Sequence, residues 1–224
     1  MMNFDNQDGN IWYNGALVPW KDSRLHVLSH GLHYASCVFE GERVYNGEIF
    51  KLREHTQRLI DSGKELGFEI PYSLEELEQA TRDTVASQGF ADAYVRPVAW
   101  RGSEMMGVSA QETKINVAIA VWEWPSYFSP EARMRGIRLT TSKWRRPAPE
   151  TAPVHAKAAG LYMICTLSKH DAEAKGYDDA LMLDEHGYLA ETNATHVFVV
   201  SGGVVETWDT SSCPEGITRS VVLE

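Results

Sequence analysis

Ile115-Asn116-Val117-Ala118-Ile119-Ala120-Val121-Trp122 is followed at once by Glu123-Trp124-Pro125-Ser126-Tyr127-Phe128-Ser129-Pro130. The first stretch is an almost unbroken apolar run of strand length, the pattern of a strand buried on both faces. The second is short, aromatic and flanked by prolines, and reads as a linker. A buried strand that gives way to a linker near the middle of 224 residues predicts a chain in two parts: 1–126, a linker at 127–135, and 136–224. The expected class is α+β, or mixed α/β.

The regions on either side fit that division. Asn14-Gly15 separates Ile11-Trp12-Tyr13 from Ala16-Leu17-Val18, and Asn46-Gly47 separates Val44-Tyr45 from Glu48-Ile49-Phe50. Asn-Gly between apolar runs predicts a hairpin, because both turn residues must tolerate positive φ. A helix is expected over Arg53 to Leu66, stopped at Gly67. A second opens on the capping box Ser73-Leu74-Glu75-Glu76 and ends near Gly89. Ala93 to Trp100 reads as another strand. Past the linker, a strand is expected over Ile137 to Thr141, and a helix over Ala158 to Lys175. Hairpins pair Ala180–Leu183 with Tyr188–Glu191 and Val197–Val200 with Val204–Thr207. A helix starts at Gly216-Ile217-Thr218. No repeat or low-complexity stretch interrupts the chain.

Composition excludes several classes. With 31 acidic and 21 basic residues the formal charge is −10, against nucleic-acid binding, which needs clustered Lys and Arg. Cys37, Cys165 and Cys213 form no CxxC pair and read as reduced thiols of a cytoplasmic protein. Met1 to Asn10 is polar and does not read as a signal peptide. No apolar run approaches the ~18 residues that span a bilayer. His26, His30 and His33 have the i, i+4, i+7 spacing of one helix face. No acidic ligand follows and no HExxH occurs, so they read as structural and no metal is expected. There is no P-loop, GxGxxG or GxSxG.

Lys157 lies in Pro153-Val154-His155-Ala156-Lys157-Ala158-Ala159-Gly160. A lone lysine is ordinarily a solvated surface charge. Among small apolar neighbours it loses hydration and becomes a better nucleophile, as Schiff-base chemistry requires. Tyr162 follows five residues on, and Glu191 ends a hairpin strand. Gly216-Ile217-Thr218-Arg219 reads as a helix N-terminus suited to a phosphate. Pyridoxal phosphate needs these parts: an amine, a donor to its phenolate, an acid against its ring nitrogen and a phosphate cup. Each has a plain reading too: Tyr162 as core, Glu191 as a solvated hairpin end, Gly216 as a turn.

Taken together, several stretches resemble the class IV pyridoxal-phosphate aminotransferases, and among them the branched-chain amino acid aminotransferases, with a D-amino acid aminotransferase-like fold. They are Ser29-His30-Gly31-Leu32-His33-Tyr34, Val38-Phe39-Glu40-Gly41-Glu42-Arg43, Arg53 to Leu59, Tyr94-Val95-Arg96-Pro97, Met106-Gly107-Val108, Ala156-Lys157-Ala158, Gly176-Tyr177, Leu183-Asp184 and Glu215 to Arg219. The resemblance runs from about Ile11 onward.

It implies pyridoxal 5′-phosphate as cofactor, held by Lys157, which also carries the proton between Cα and C4′. Glu191 would keep the pyridine nitrogen protonated, and Tyr162 would bond the phenolate oxygen. Arg58, Ile217 and Thr218 would take the phosphate, each charge-assisted contact being worth roughly 1.5–3 kcal/mol. Phe39, Gly41, Arg43, Trp124 and Tyr127 would line the substrate pocket, and Tyr94 would help hold the α-carboxylate. Arg96 would receive the second carboxylate of glutamate. Tyr34 and Val108 would come from the neighbouring subunit of a homodimer. The implied reaction is amino transfer between leucine, isoleucine or valine and 2-oxoglutarate.

Two departures stand out. The family pattern after the acid is Glu-Gly-x-Gly-x-Asn, whereas here Glu191-Thr192-Asn193-Ala194-Thr195-His196 lacks both glycines and the asparagine. The family also continues for several tens of residues past the equivalent of Glu224, through a Gly-Thr-rich loop that completes the phosphate and α-carboxylate sites. The C-terminal part is therefore expected to be incomplete, as a fragment or a truncated protein. The alternatives are another class IV enzyme (a D-amino acid or (R)-amine aminotransferase, or an aminodeoxychorismate lyase) and a truncated, inactive fold. Tyr94-x-Arg96 with Met106-Gly107-Val108 favours the branched-chain enzyme.

Overall fold

A computed structural model describes residues 3–124 and 130–224. Two units emerge: Met1–Pro125 with Lys157–Gly160, and Ser126–Ala156 with Leu161–Glu224. The expected division placed all of 136–224 in one part; the structure assigns the Lys157 segment to the first unit instead.

The first unit contains β1 (Asn10–Tyr13), β2 (Ala16–Pro19), α1 (His30–Tyr34), β3 (Cys37–Phe39), β4 (Glu42–Tyr45), β5 (Glu48–Ile49), α2 (Leu52–Glu65), α3 (Leu74–Gln88), β6 (Ala93–Arg101) and β7 (Ile115–Trp122). All seven strands pair antiparallel, in the order β2-β1-β7-β6-β4-β5, and β3 also pairs with β6. Both hairpin turns have the expected backbone, with φ of 48° and 102° at Asn14-Gly15 and 50° and 84° at Asn46-Gly47. Ser73 and Glu76 exchange both capping-box bonds at the start of α3.

Alternation along β6 divides the sheet's faces. Val95 and Ala99 point with Val117 and Val121 into a core closed by Leu59 of α2 and Leu77 of α3. Tyr94, Val98 and Trp100 point the other way, with Ala118, Trp122 and Trp124. The first face is ordinary core. The second, aromatic and partly open, carries the site.

The helix expected from Ala158 to Lys175 begins late. A 3-10 turn covers Ala159–Tyr162 and the α-helix α5 runs over Met163–Ala174. The cause is long-range pairing. Ala158 bridges to Val38, the Phe39 N–H donates to the Lys157 carbonyl at 3.1 Å, and the Lys157 N–H donates to Ser62 Oγ at 2.9 Å. Backbone groups claimed by β3 and α2 cannot open a helix.

The second unit contains α4 (Pro130–Arg135), β8 (Leu139–Arg145), α5, β9 (Asp179–Leu183), β10 (Leu189–Thr192), β11 (Val199–Ser201), β12 (Val204–Glu206) and α6 (Ile217–Leu223). Strands β8 and β9 are parallel, joined through α5, and β10 adds antiparallel to β9; β11 and β12 form a separate hairpin. Residues 130–135, expected as linker, are helical. The strand expected over Ile137 to Thr141 lies later, because its pairing with β9 starts at Leu139 and runs to Arg145, just ahead of Pro147.

Candidate active site

In the first unit the segment Val38-Phe39-Glu40-Gly41 organises the chemistry. Val38 and Phe39 hold the Lys157 backbone, and the Lys157 Nζ lies 5.2 Å from the Phe39 ring centroid. Lys157 is half-buried, with Ala156 and Ala158 buried on either side. Next along the chain, the Glu40 carboxylate is fully buried and accepts from Arg58 Nε at 2.6 Å, Arg58 Nη2 at 2.8 Å and His55 Nδ1 at 2.7 Å. Burial pushes Glu40 up, but the His55 and Arg58 bonds and the charges of Arg58 and Lys157 outweigh it, so the carboxyl sits at about 2. Glu42, two residues on, is also buried, and neither of its oxygens has a hydrogen-bond partner among the described residues. Burial and the Glu40 charge hold it well above the usual carboxylate range.

Arg96 lies on the aromatic face. Its guanidinium stands 4.7 Å over the Phe39 ring and 5.2 Å over the Tyr94 ring, and donates to Tyr94 Oη at 2.9 Å. Its Nε is buried with no partner among the described residues. A cavity of about 590 Å³ opens beside it, lined by Ile11, Leu32, Val98, Trp100 and Ala120 among others. Gly41 is required by close approach: a Cβ there would lie 2.1 Å from Tyr94 Oη. Arg43 is turned to the Trp124 carbonyl at 3.0 Å. Tyr34 is 45 % and Val108 85 % exposed. Tyr127 lies outside the described residues.

The three histidines take protein partners. His30 is buried between Ser36 Oγ and the Gly107 carbonyl, at 2.9 and 3.0 Å. His33 Nε2 meets the Val27 carbonyl, and His26 Nδ1 accepts the Leu28 N–H.

The second unit centres on Glu191, which is buried on β10. Arg146, itself buried, places Nε 3.2 Å from Glu191 Oε1 and donates Nη1 to Cys165 Sγ. The ligand atoms of Glu191, His196 and Cys213 lie within 4.8 Å of one another. Burial, then the Glu191 charge, pushes the Cys213 thiol up to about 12, and the Arg146 guanidinium already supplies positive charge beside the carboxylate. The cluster is a paired acid rather than a cation cage. His196 packs on Gly216, where a Cβ would fall 2.2 Å from the imidazole Cδ2. Tyr162 is half-buried, as is Ile217, and Thr218 is exposed in the first turn of α6.

These features coincide with a known family. The Amino-transferase class IV family matches residues 37–224. The chain belongs to the class IV aminotransferases.

A curated relative, the branched-chain-amino-acid aminotransferase of Pseudomonas aeruginosa, is 41 % identical over 99 % of this chain and 74 % of its own length. The solved branched-chain amino acid aminotransferase of Escherichia coli superposes with a TM-score of 0.92 at 39 % identity, covering 97 % of this chain and 73 % of that one. A second solved branched-chain amino acid aminotransferase, from the source abbreviated T.th., is complexed with N-(5′-phosphopyridoxyl)-L-glutamate; it gives a TM-score of 0.89 at 41 % identity, covering 97 % and 72 %.

Sequence reasoning about this class IV chain found Lys157, Arg58, Arg96 and Glu191 but not the groups that brace them: Glu40, His55, Ser62, Arg146 and Cys213. Glu40 and His55 stood within quoted motifs, with no role given to either. The others carry no local signal, because their partners come from distant strands and loops.

Proposed function

We propose that this chain moves the amino group of leucine, isoleucine or valine to 2-oxoglutarate, giving the branched-chain 2-oxo acid and L-glutamate, with pyridoxal 5′-phosphate as cofactor. Arg96 carries the reading. It is a half-buried cation with no carboxylate partner among the described residues, set between two aromatic rings at the wall of an apolar cavity. Such a pocket receives an aliphatic side chain on its walls and a distal carboxylate on its single guanidinium. The phosphopyridoxyl-glutamate complex of the solved relative supports the second half of that specificity.

The donor set fits the cofactor: an amine among small groups, an arginine braced by a carboxylate, and a buried acid. Bound pyridoxal phosphate supplies an electron sink for the electrons of the Cα–H bond. Lys157 anchors it and moves the proton at the substrate Cα. Glu191 holds a proton on the ring nitrogen, with Arg146 keeping the acid ionised. Tyr162 donates to the phenolate oxygen, and Arg58, the Ile217 N–H and the Thr218 hydroxyl take the phosphate. Phe39, Gly41, Arg43, Tyr94, Trp124 and Tyr127 shape the pocket. Tyr34 and Val108 serve the site of a second copy in a homodimer, which their exposure supports. No helix of the described residues is long and apolar enough to cross a membrane, and three free cysteines support a cytoplasmic setting.

Intact mass and an absorbance spectrum of the purified protein, followed by amino transfer from L-leucine and from D-alanine, test the reading. A visible cofactor band and turnover of L-leucine alone are expected. Preference for D-alanine would move the chain to another branch of the family, and no bound cofactor would overturn the proposal.

A further inference from the structure

We propose that Glu40 is a positioning residue. Its buried carboxylate fixes the Arg58 guanidinium in the orientation that receives the cofactor phosphate, and ties that end of the site to the segment holding Lys157. The inference rests on the role given to Arg58 above.

The geometry is specific. A carboxylate has about four lone-pair positions, and Glu40 has four donors: Arg58 Nε and Nη2, His55 Nδ1, and the Gly41 N–H at 3.2 Å. The residue's own N–H donates to the Pro97 carbonyl at 2.9 Å, so its backbone is fixed to β6. A fully satisfied acceptor in a fixed place cannot turn without breaking a bond, and Arg58, a long and otherwise mobile side chain, inherits that rigidity. The preceding residue, Phe39, holds the Lys157 carbonyl. Two adjacent residues thus set the lysine and the arginine relative to each other.

A purely structural ion pair between α2 and the sheet is the competing account. Buried pairs seldom stabilise a fold more than apolar residues of equal volume, whereas pre-orientation of a binding group directly favours its ligand. The accounts differ in what they do to the phosphate alone.

Equilibrium titration of the protein with pyridoxal 5′-phosphate and with pyridoxal, which lacks the phosphate, separates them. The parent, Arg58→Lys, Glu40→Gln and Glu40→Asp are compared, with a melting curve for each. Glu40→Gln should weaken pyridoxal phosphate about tenfold or more and pyridoxal less than about threefold; Glu40→Asp should fall between it and the parent. Should Glu40→Gln fail to fold, Glu40→Asp carries the same comparison. If Arg58→Lys leaves the preference for the phosphorylated ligand intact, the role of Arg58 itself fails. If Arg58→Lys loses that preference while the Glu40 variants keep it, only the inference about Glu40 fails. Equal weakening of both ligands, or tighter phosphate binding once the arginine's charge is released, also overturns it.

Discussion

The Arg96 guanidinium lies 4.7 Å over the Phe39 ring, and its Nε is buried without a partner among the described residues. A cation held by aromatic faces and one tyrosine hydroxyl is short of negative charge, and a dicarboxylic substrate would supply it. Arg96→Leu should therefore damage glutamate and 2-oxoglutarate far more than leucine. Leaving the distal carboxylate buried and unpaired costs on the order of 3–5 kcal/mol, roughly a 10²–10³-fold fall in kcat/KM. Single-turnover rates of the two half-reactions check this; a parallel fall for both substrates would count against dual recognition.

Lys157→Ala should abolish amino transfer and the covalent trapping of cofactor by borohydride, while circular dichroism stays at the parent signal. The fold is expected to survive because the segment is held through its backbone by Phe39 and Ser62. Turnover of leucine near the parent rate would remove Lys157 from the chemistry.

Glu191→Gln should retain cofactor but cut turnover on the order of 10²-fold or more, because an amide cannot hold the ring proton and the opposing charge counts most in the transition state. The Arg146 guanidinium, left buried without its carboxylate, should also lower the melting temperature. Parent-like turnover would exclude Glu191 from the mechanism.

Gly41→Ala should force Tyr94 aside and impair activity, since the new methyl would lie 2.1 Å from the Tyr94 hydroxyl. Overpacking of this kind costs about 1–3 kcal/mol. Adding Tyr94→Phe removes the clashing atom, so the double variant should be more stable than Gly41→Ala alone. Additive losses would place the effect elsewhere.

Glu40 and Glu42 should shift stability with pH in opposite directions. Glu40, held at about 2, stabilises the fold fully above the unfolded carboxylate value of ~4.3, and that contribution is lost as pH falls through 2. Glu42 is raised, so the folded chain keeps a proton that the unfolded chain releases, and its effect is a loss of stability as pH climbs above ~4.3. Glu42→Met should then raise the melting temperature at pH 8, by about 1–3 kcal/mol of stability, with a smaller gain at pH 4. A gain independent of pH would show that Glu42 is not held protonated.

What the sequence revealed and what it hid follow one physical line. The Asn-Gly hairpins, the Ser73–Glu76 cap and the strands on either side of residue 105 are specified by residues close in sequence, and the structure has them. The late start of α5 and the displaced β8 depend on partners far away, Val38 for one and β9 for the other. The site divides the same way. Lys157 and Glu191 stand out by local setting and motif. The Glu40 clamp joins residues 15 and 18 apart across a strand and a helix, and His55 reads in sequence as just another helix position.

Because Lys157–Gly160 belongs to the first unit, that unit cannot be completed while its own 125 residues emerge during synthesis. The backbone groups of β3 at Val38 and Phe39 must wait for a segment made much later. Closing so long a loop is slow, and an unpaired β edge invites the wrong partner in the meantime. The reactive lysine and the completion of the first unit therefore arrive in one event, so a nascent chain that has not reached residue 160 can display neither.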